Sequence, residues 1–124
     1  MEGKRDAVNR KQAEQRGRKA EKFAATWLRL HGWRILAERV RTPKGEVDLI
    51  ARRRNLVAFV EVKARTKQAD LDLAIDQHRL KRVAAAAEIL FAEYCRNGED
   101  ARIDVILVAP GRLPTHLKNV WHGF

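Results

Sequence analysis

The spacing of apolar residues predicts two amphipathic helices. In the first, an apolar position recurs every three or four residues until His31-Gly32, and glycine is common just after the last turn of a helix. Its apolar positions are Ala20, Phe23, Ala24, Trp27 and Leu28. The second helix is predicted over about residues 76–94, and Asn97-Gly98 is expected to stop it. Its apolar face contains Leu80, Val83, Ala84, Ala87, Leu90 and Phe91.

Other parts of the chain have patterns typical of β-strands. Residues 33–36 begin an extended segment, and Thr42-Pro43-Lys44-Gly45 predicts a turn after it. Two strands then follow at 46–51 and 56–63, separated by a short polar break, and we expect them to form an antiparallel β-hairpin.

A further strand is predicted late in the chain. Residues 103–109 form a nearly continuous apolar run, which is typical of a central strand buried on both faces. A short edge strand is expected around Val120-Trp121.

The order of these elements predicts an α/β fold in a single domain. A helix, three strands, a second helix and a fourth strand favour a mixed β-sheet flanked by both helices. The length of 124 residues suits one domain. A small ferredoxin-like fold is the alternative, but it would need one more strand. Residues 1–15 are expected to be a flexible basic lead-in, because they lack an apolar periodicity.

The charge of the chain favours a polyanionic partner. Lys and Arg number 26 against 16 Asp and Glu, which gives a net charge of +10. Nucleic acid and an anionic membrane surface both attract such a protein. Residues 4–22 are basic but lack the large apolar face that a membrane-surface helix needs, so nucleic acid is favoured and no membrane association is expected. Exposed Lys and Arg residues also serve solubility alone.

The single cysteine indicates a reducing compartment. Cys95 cannot form a disulfide within the chain. Residues 1–18 contain no apolar segment of the kind found in secretory signal peptides, and no other stretch is long enough to span a bilayer. We therefore expect a cytoplasmic protein.

The predicted hairpin carries the most informative chemistry. Glu61 and Lys63 are two residues apart on one strand and therefore point to the same face, while Asp48 lies on the neighbouring strand. Two carboxylates and one ammonium group would then surround a single point. Mg²⁺ typically binds one or two carboxylates and leaves its other positions to water and phosphate. The pattern therefore predicts a metal site at Asp48 and Glu61, with Lys63 placed to neutralise charge on a phosphate.

The motif by itself is not specific. Alternating charges are common on exposed strands, where a cross-strand ion pair contributes about 0.2–1 kcal/mol. Its context adds weight, because the flanking residues are apolar enough to bury both strands and the chain is basic.

A longer match carries a family resemblance. Two segments, Gly45-Glu46-Val47-Asp48-Leu49-Ile50 and Phe59-Val60-Glu61-Val62-Lys63-Ala64-Arg65, resemble the YraN-like family of uncharacterised bacterial proteins. That family belongs to the PD-(D/E)XK superfamily of restriction-endonuclease-like proteins. The resemblance covers about residues 16–108, and Holliday-junction resolvases of archaea are similar in the same places.

The resemblance implies a fold, a cofactor and a set of site residues. Residues 16–124 would form an endonuclease-like domain with a restriction-endonuclease-like mixed sheet. Asp48 and Glu61 would bind Mg²⁺ or Mn²⁺, Lys63 would be the catalytic lysine, and Glu21 would be a further acidic residue from the first helix. Glu21 lies at the border of that helix's apolar face, where a solvated glutamate is equally common.

Some positions depart from the family pattern. The family usually has glycine where this chain has Ala20, often asparagine where it has Arg39, and commonly lysine where it has Arg79. These departures leave the predicted metal ligands intact.

Four arginines are predicted to contact nucleic acid, because guanidinium groups suit phosphate oxygens and these residues are expected to flank the cleft. They are Arg41, Arg65, Arg79 and Arg82.

Two functions fit these residues. The first is a metal-dependent nuclease that acts on DNA phosphodiesters, with DNA favoured over RNA and branched structures favoured over specific sequences. A homodimer presenting two sites is an option if the likeness to resolvases extends to the substrate. The second is a nucleic-acid-binding module that cleaves little or nothing and recruits a partner. Metal dependence separates the two.

Overall fold

The structure is a computed structural model that describes residues 2–64 and 76–123. In these residues the elements in chain order are α1 (Glu2–Leu30), β1 (Arg34–Thr42), β2 (Gly45–Arg53), β3 (Leu56–Ala64), α2 (Gln77–Tyr94), β4 (Asp100–Val108) and β5 (Thr115–Leu117). They form one α/β domain with a mixed sheet and flanking helices, as the sequence predicts. The arrangement is compatible with a restriction-endonuclease-like fold.

The strands lie side by side in chain order, from β1 to β5. Neighbouring strands are antiparallel except β3 and β4, which are parallel. Parallel neighbours need a crossover connection, and α2 lies in it. The predicted hairpin is confirmed, because Arg53 pairs with Leu56 and Leu49 pairs with Val60 across β2 and β3.

Helices cover both faces of the sheet. The residues of α1 that pack on one face are two alanines and a leucine: Ala24, Ala25 and Leu28. Larger residues of α2 pack on the other face, and these include Leu80, Val83 and Leu90. Residues of β4 alternate between the two faces, so that Ile106 contacts the α1 layer while Val105 and Leu107 contact the α2 layer. Burial on both sides explains why β4 is almost continuously apolar in sequence.

The ends of the helices follow local signals. Gly32, two residues after the end of α1, adopts a positive φ of 84°, in keeping with the glycine that the sequence predicts there. Asp76 caps α2, and its carboxylate accepts hydrogen bonds from the N–H groups of His78 and Arg79 at 2.9 and 3.4 Å. Among the described residues, no helix is long and apolar enough to cross a membrane.

The first helix begins earlier than its apolar spacing indicates. It starts at Glu2, so residues 2–15 are helical even though they carry no apolar face. The flexibility expected of residues 1–15 stays a prediction.

Two predictions made from the sequence pattern are wrong. The phenylalanines of the two predicted apolar helix faces are not buried, because Phe23 of α1 is 48% exposed and Phe91 of α2 is 46% exposed. The edge strand is β5 at Thr115–Leu117 rather than at residues 120–121, because β5 is where the chain pairs with β4. Val120 donates a backbone hydrogen bond from its N–H to the carbonyl of Ile103 at 2.8 Å and packs against the core of the α2 layer.

Gly45 is where the β1–β2 turn touches α2. A Cβ atom at this position would lie 2.3 Å from the carbonyl oxygen of Arg82. We expect Gly45→Ala to lower the free energy of unfolding by about 1–3 kcal/mol, because the helix and the turn would have to separate. Chemical denaturation measures this. Gly17→Ala is the matched control, since a Cβ there meets nothing within 4 Å, and equal effects of the two changes would contradict the prediction.

Candidate active site

Strand β2 departs from regular alternation at Asp48. Val47 and Ile50 both pack in the α2 layer, whereas Leu49 and Ala51 pack in the α1 layer. Strict alternation would place Val47 with Leu49, so the strand changes phase between them. The backbone pairing of β2 with β3 extends from the hairpin turn only as far as Leu49 and Val60. Asp48 therefore lies where the two strands part.

The Asp48 side chain bridges this gap. Its Oδ2 atom accepts a hydrogen bond from the N–H of Val62 at 2.8 Å. The residue is 6% exposed, so its carboxylate is held between the strands and is largely withdrawn from water.

Glu61 lies on the β3 side of the same gap and is fully buried. Two cationic side chains contact its Oε1 atom: Nζ of Lys63 at 3.5 Å, and Nε of Arg79 in a short charge-assisted hydrogen bond. Glu61 and Lys63 share a face of the strand, as the sequence predicts. Arg79 reaches Glu61 from the first turn of α2, which Asp76 caps.

The two carboxylates differ in their surroundings. Burial, together with the charge of nearby Glu61, raises the pKa of Asp48 from 3.8 to about 7, against the opposing effect of the hydrogen bond from Val62. The cations gather on Glu61, while the hydrogen bond that Asp48 accepts comes from a neutral N–H group. The pair therefore combines one compensated carboxylate with one that binds a proton readily near neutral pH.

Glu21 contributes a third acidic group from α1. Its Oε2 atom accepts a hydrogen bond from Nε of Arg39 at 2.7 Å, and its charge acts in the same direction as that of Glu61 on the pKa of Asp48. Arg39 adopts a positive φ of 52°, a conformation that asparagine reaches more readily than arginine. This is the position where the sequence departs from the asparagine often found in YraN-like proteins, and here the arginine forms an ion pair with Glu21.

The predicted nucleic-acid-binding arginines do not share one location. Arg79 contacts the carboxylate pair through Glu61. Arg41 is paired instead with Glu46 at 3.7 Å, and its side chain is 86% exposed. Arg82 is exposed on α2, with its backbone beside Gly45. Arg65 lies outside the described residues. The structure thus brings Arg79 to the site and leaves Arg41 at the surface.

The donor set suits a hard divalent cation. No group of three or more His, Cys, Asp and Glu side chains within the described residues is arranged to hold a metal ion. Mg²⁺ is commonly bound through one or two carboxylates, with water and substrate phosphate as its other ligands. Asp48 and Glu61 are two buried carboxylates, the charge of Glu61 raises the pKa of Asp48, and a cation between them would relieve that repulsion. The pair therefore fits the ion that the sequence predicts.

Comparison with known proteins identifies the family. Residues 20–108 match the model of Uncharacterised protein family UPF0102, a range that contains all four of the acidic and basic residues predicted to be catalytic. The chain belongs to the UPF0102 family. The match confirms the YraN-like resemblance at the level of the family.

Several bacterial UPF0102 proteins are similar over nearly their whole length. A UPF0102 protein of Sphingopyxis alaskensis is 62% identical over 114 residues, which cover 92% of this chain and 98% of the relative. One from Erythrobacter litoralis is 59% identical over the same shares of both chains. One from Bartonella bacilliformis is 46% identical, over 93% of this chain and 95% of the relative.

Sequence reasoning missed a second buried polar cluster in this UPF0102 chain. Asp104 on β4 is fully buried and accepts two hydrogen bonds from Arg102 at 2.9 and 3.1 Å. Nε2 of His116 lies 2.8 Å from its carboxylate, and the N–H of Asn119 donates at 2.9 Å. Burial alone would raise the pKa of Asp104, but the hydrogen bonds from His116 and Arg102 outweigh it and lower the pKa.

This cluster is separate from the candidate active site. Asp104 pairs with Val60 in the β3–β4 register, so it faces the α1 layer, whereas Glu61 faces the α2 layer. The sequence did contain a sign of this cluster: Arg102 and Asp104 alternate with apolar residues in a strand predicted to be buried. A charged residue in a buried strand needs a partner. Through His116 and Asn119, the hydrogen bonds of this cluster hold β5 and the segment after it against β4.

The raised pKa of Asp48 predicts a pH-dependent stability in metal-free protein. In the folded chain this carboxyl binds a proton up to about pH 7, whereas its unperturbed value is 3.8. The folded state therefore binds more protons in this window, and stability falls as the pH rises through it. Between about pH 4 and pH 8 we expect wild type to lose on the order of 4 kcal/mol relative to Asp48→Asn.

Urea denaturation in EDTA at several pH values measures this difference. Asp100→Asn, which alters an exposed carboxyl, is the matched control and should follow wild type at every pH. If Asp48→Asn also runs parallel to wild type, the predicted coupling is wrong.

Proposed function

We propose that this UPF0102 chain is a metal-dependent endonuclease that hydrolyses DNA phosphodiester bonds, and that the family belongs to the PD-(D/E)XK superfamily. One observation carries the proposal: Asp48, Glu61 and Lys63 meet at the point where β2 and β3 part, and Glu21 adds a third acidic charge beside them. A buried carboxyl such as Asp48, whose pKa is raised by burial and by a second acidic group, is typical of functional sites.

Each side chain has a distinct role in this proposal. Asp48 and Glu61 would bind the Mg²⁺ or Mn²⁺ ion, which supplies charge neutralisation and an activated water molecule when bound. Lys63 holds its ammonium group 3.5 Å from Glu61 and is nearly buried, so its charge acts at short range on a phosphate placed beside that carboxylate. The Val62 N–H orients the Asp48 carboxylate.

Two residues position the acidic group or the substrate. Arg39 fixes Glu21 through a 2.7 Å ion pair, which keeps that carboxylate turned toward the sheet. Arg79 has a half-exposed side chain whose guanidinium already lies at Glu61, so it can exchange this carboxylate for a phosphate oxygen when a nucleic acid enters.

The surroundings support a polyanionic substrate. The net charge of +10 attracts nucleic acid, and the chain shows no motif that reads bases in a groove. The lack of such a motif favours a preference for structure over sequence, and the resemblance to Holliday-junction resolvases favours DNA over RNA. We also propose that the protein is cytoplasmic, in keeping with its single cysteine. That it forms a homodimer stays a prediction.

A panel of labelled nucleic acids tests the proposal. Single-stranded, duplex, flap and four-way-junction DNA, together with RNA, are incubated with the protein in Mg²⁺, Mn²⁺ or EDTA. We expect product only with a divalent metal, and the preferred member of the panel then identifies the substrate class. In parallel, Mg²⁺ should raise the melting temperature of wild type but not of Asp48→Asn. Absence of product with every metal from a folded protein would contradict the proposal.

A second candidate is a nucleic-acid-binding module without catalysis. It is favoured by the double contact of Lys63 and Arg79 on Glu61, which neutralises one of the two carboxylates without any metal. This function predicts that binding to the panel survives EDTA and the change Glu61→Ala, and that no product forms. The two candidates are thus separated by the same experiment.

A further inference from the structure

The N-terminal part of α1 is largely exposed where the structure describes its side chains. Among the described side chains of this helix, the buried ones are Ala20, Ala24, Ala25 and Leu28, all in its second half. Every described side chain from residue 10 to residue 15 is exposed, and so are Arg18 and Lys19. We call residues 2–19 the N-terminal arm. Its backbone is helical, and none of its described side chains is buried, so burial of those side chains does not explain the helix.

The direction of α1 places the arm beside the candidate active site. At the other end of the helix, Arg53 in the β2–β3 hairpin donates a hydrogen bond to the carbonyl of His31 at 3.1 Å. Asp48 and Glu61 lie in the half of the hairpin strands that is away from the turn, and Glu21 meets Arg39 beside them. The helix before Glu21 therefore runs away from the hairpin turn, on the side of the candidate active site. At 1.5 Å per residue, the arm is about 27 Å long.

The charge of the arm matches a polyanion. Residues 2–19 contain seven Lys and Arg residues against three Asp and Glu residues. Arg18 lies one turn before Glu21 and hence on the same side of the helix. B-form DNA has a major groove that admits an α-helix, whereas the major groove of A-form RNA is too narrow. A helix of about 27 Å spans about eight base pairs of B-DNA, at ~3.4 Å per base pair.

We propose that the N-terminal arm is a DNA-binding surface that contacts the phosphates of a duplex segment next to the candidate active site. This inference rests on the proposed function, because that function places the cleaved bond at Asp48 and Glu61. It narrows the substrate class to DNA that has a duplex segment next to the cleaved bond.

The test compares two variants of equal charge. Lys11→Gln/Arg18→Gln/Lys19→Gln removes three exposed charges from the arm, and glutamine preserves helix propensity. Arg52→Gln/Arg54→Gln/Arg96→Gln removes three exposed charges near the hairpin turn and the end of α2, at the far end of the sheet. Binding to a labelled DNA duplex is measured by fluorescence anisotropy in EDTA at several salt concentrations, and circular dichroism verifies the fold of both variants.

We expect the arm variant to bind the duplex at least about tenfold more weakly at low salt, with a salt slope that is shallower by about 0.9 for each phosphate that the arm no longer neutralises. The far-end variant should bind nearly as wild type does. Equal losses of affinity in both variants, or an unchanged affinity in the arm variant, would overturn the proposal. Equal affinity of wild type for a duplex RNA would overturn the assignment to B-form DNA.

The readout does not depend on catalysis. Because binding is measured without metal, an inactive protein that still loses duplex affinity in the arm variant would refute the endonuclease and retain the arm. An active protein whose arm variant binds and cleaves as wild type does would refute the arm and retain the endonuclease.

Discussion

Glutamine in place of Glu61 is expected to lower the rate of metal-dependent DNA cleavage by about 10²–10³-fold. The change keeps the size of the side chain but removes the charge that would bind the cation. It also removes the negative charge that Lys63 and Arg79 share, so both cations lose their common ionic partner. The rate is measured on the preferred substrate of the panel, under single-turnover conditions.

Lys63→Met separates the role of the lysine from that of the metal ligand. It should reduce the cleavage rate to a similar extent, yet leave Mn²⁺ affinity close to that of wild type, whereas Glu61→Gln should weaken Mn²⁺ binding. Glu93→Gln, an exposed change on α2, is the matched control and should retain full activity. Cleavage that persists in Glu61→Gln would point to a contaminating nuclease or to another site.

Removal of the Asp104 carboxylate is expected to cause the largest loss of stability. Asp104→Ala leaves Arg102 and His116 without their acceptor and the N–H of Asn119 without its partner, around the position of a carboxylate that is fully buried. Breaking a buried pair by removing one partner costs about 3–5 kcal/mol. Urea denaturation near neutral pH measures this decrease in the free energy of unfolding.

The pH dependence of this effect has a definite sign. Since the pKa of Asp104 is lowered in the folded chain, the carboxylate stabilises the fold above the usual aspartate range and loses that effect as the pH falls through the folded value. The stability difference between wild type and Asp104→Ala should therefore shrink in acid. Asp100→Ala, four residues earlier on the same strand and exposed, is the matched control. A decrease as small as that of the control would show that the cluster is not stabilising.

Local patterns in the sequence were sufficient to predict the elements and much of the candidate site. Helical spacing around Leu28 and Leu80 predicted two helices, and the turn residues before Gly45 predicted the start of the hairpin. Asp48, Glu61 and Lys63 could be associated in advance because they depend on local rules. Side chains two apart on a strand share a face, and antiparallel strands joined by a short turn are neighbours.

The contacts between distant segments emerged only from the packed fold. Arg79 reaches Glu61 across the connection between β3 and α2, Arg39 pairs with Glu21 from another element, and Asp104 collects partners from β5 and beyond. The phase change at Asp48 is equally invisible in the sequence pattern. Periodicity reports which face of an element is apolar, but the partners of a buried charge depend on how separate elements pack in three dimensions.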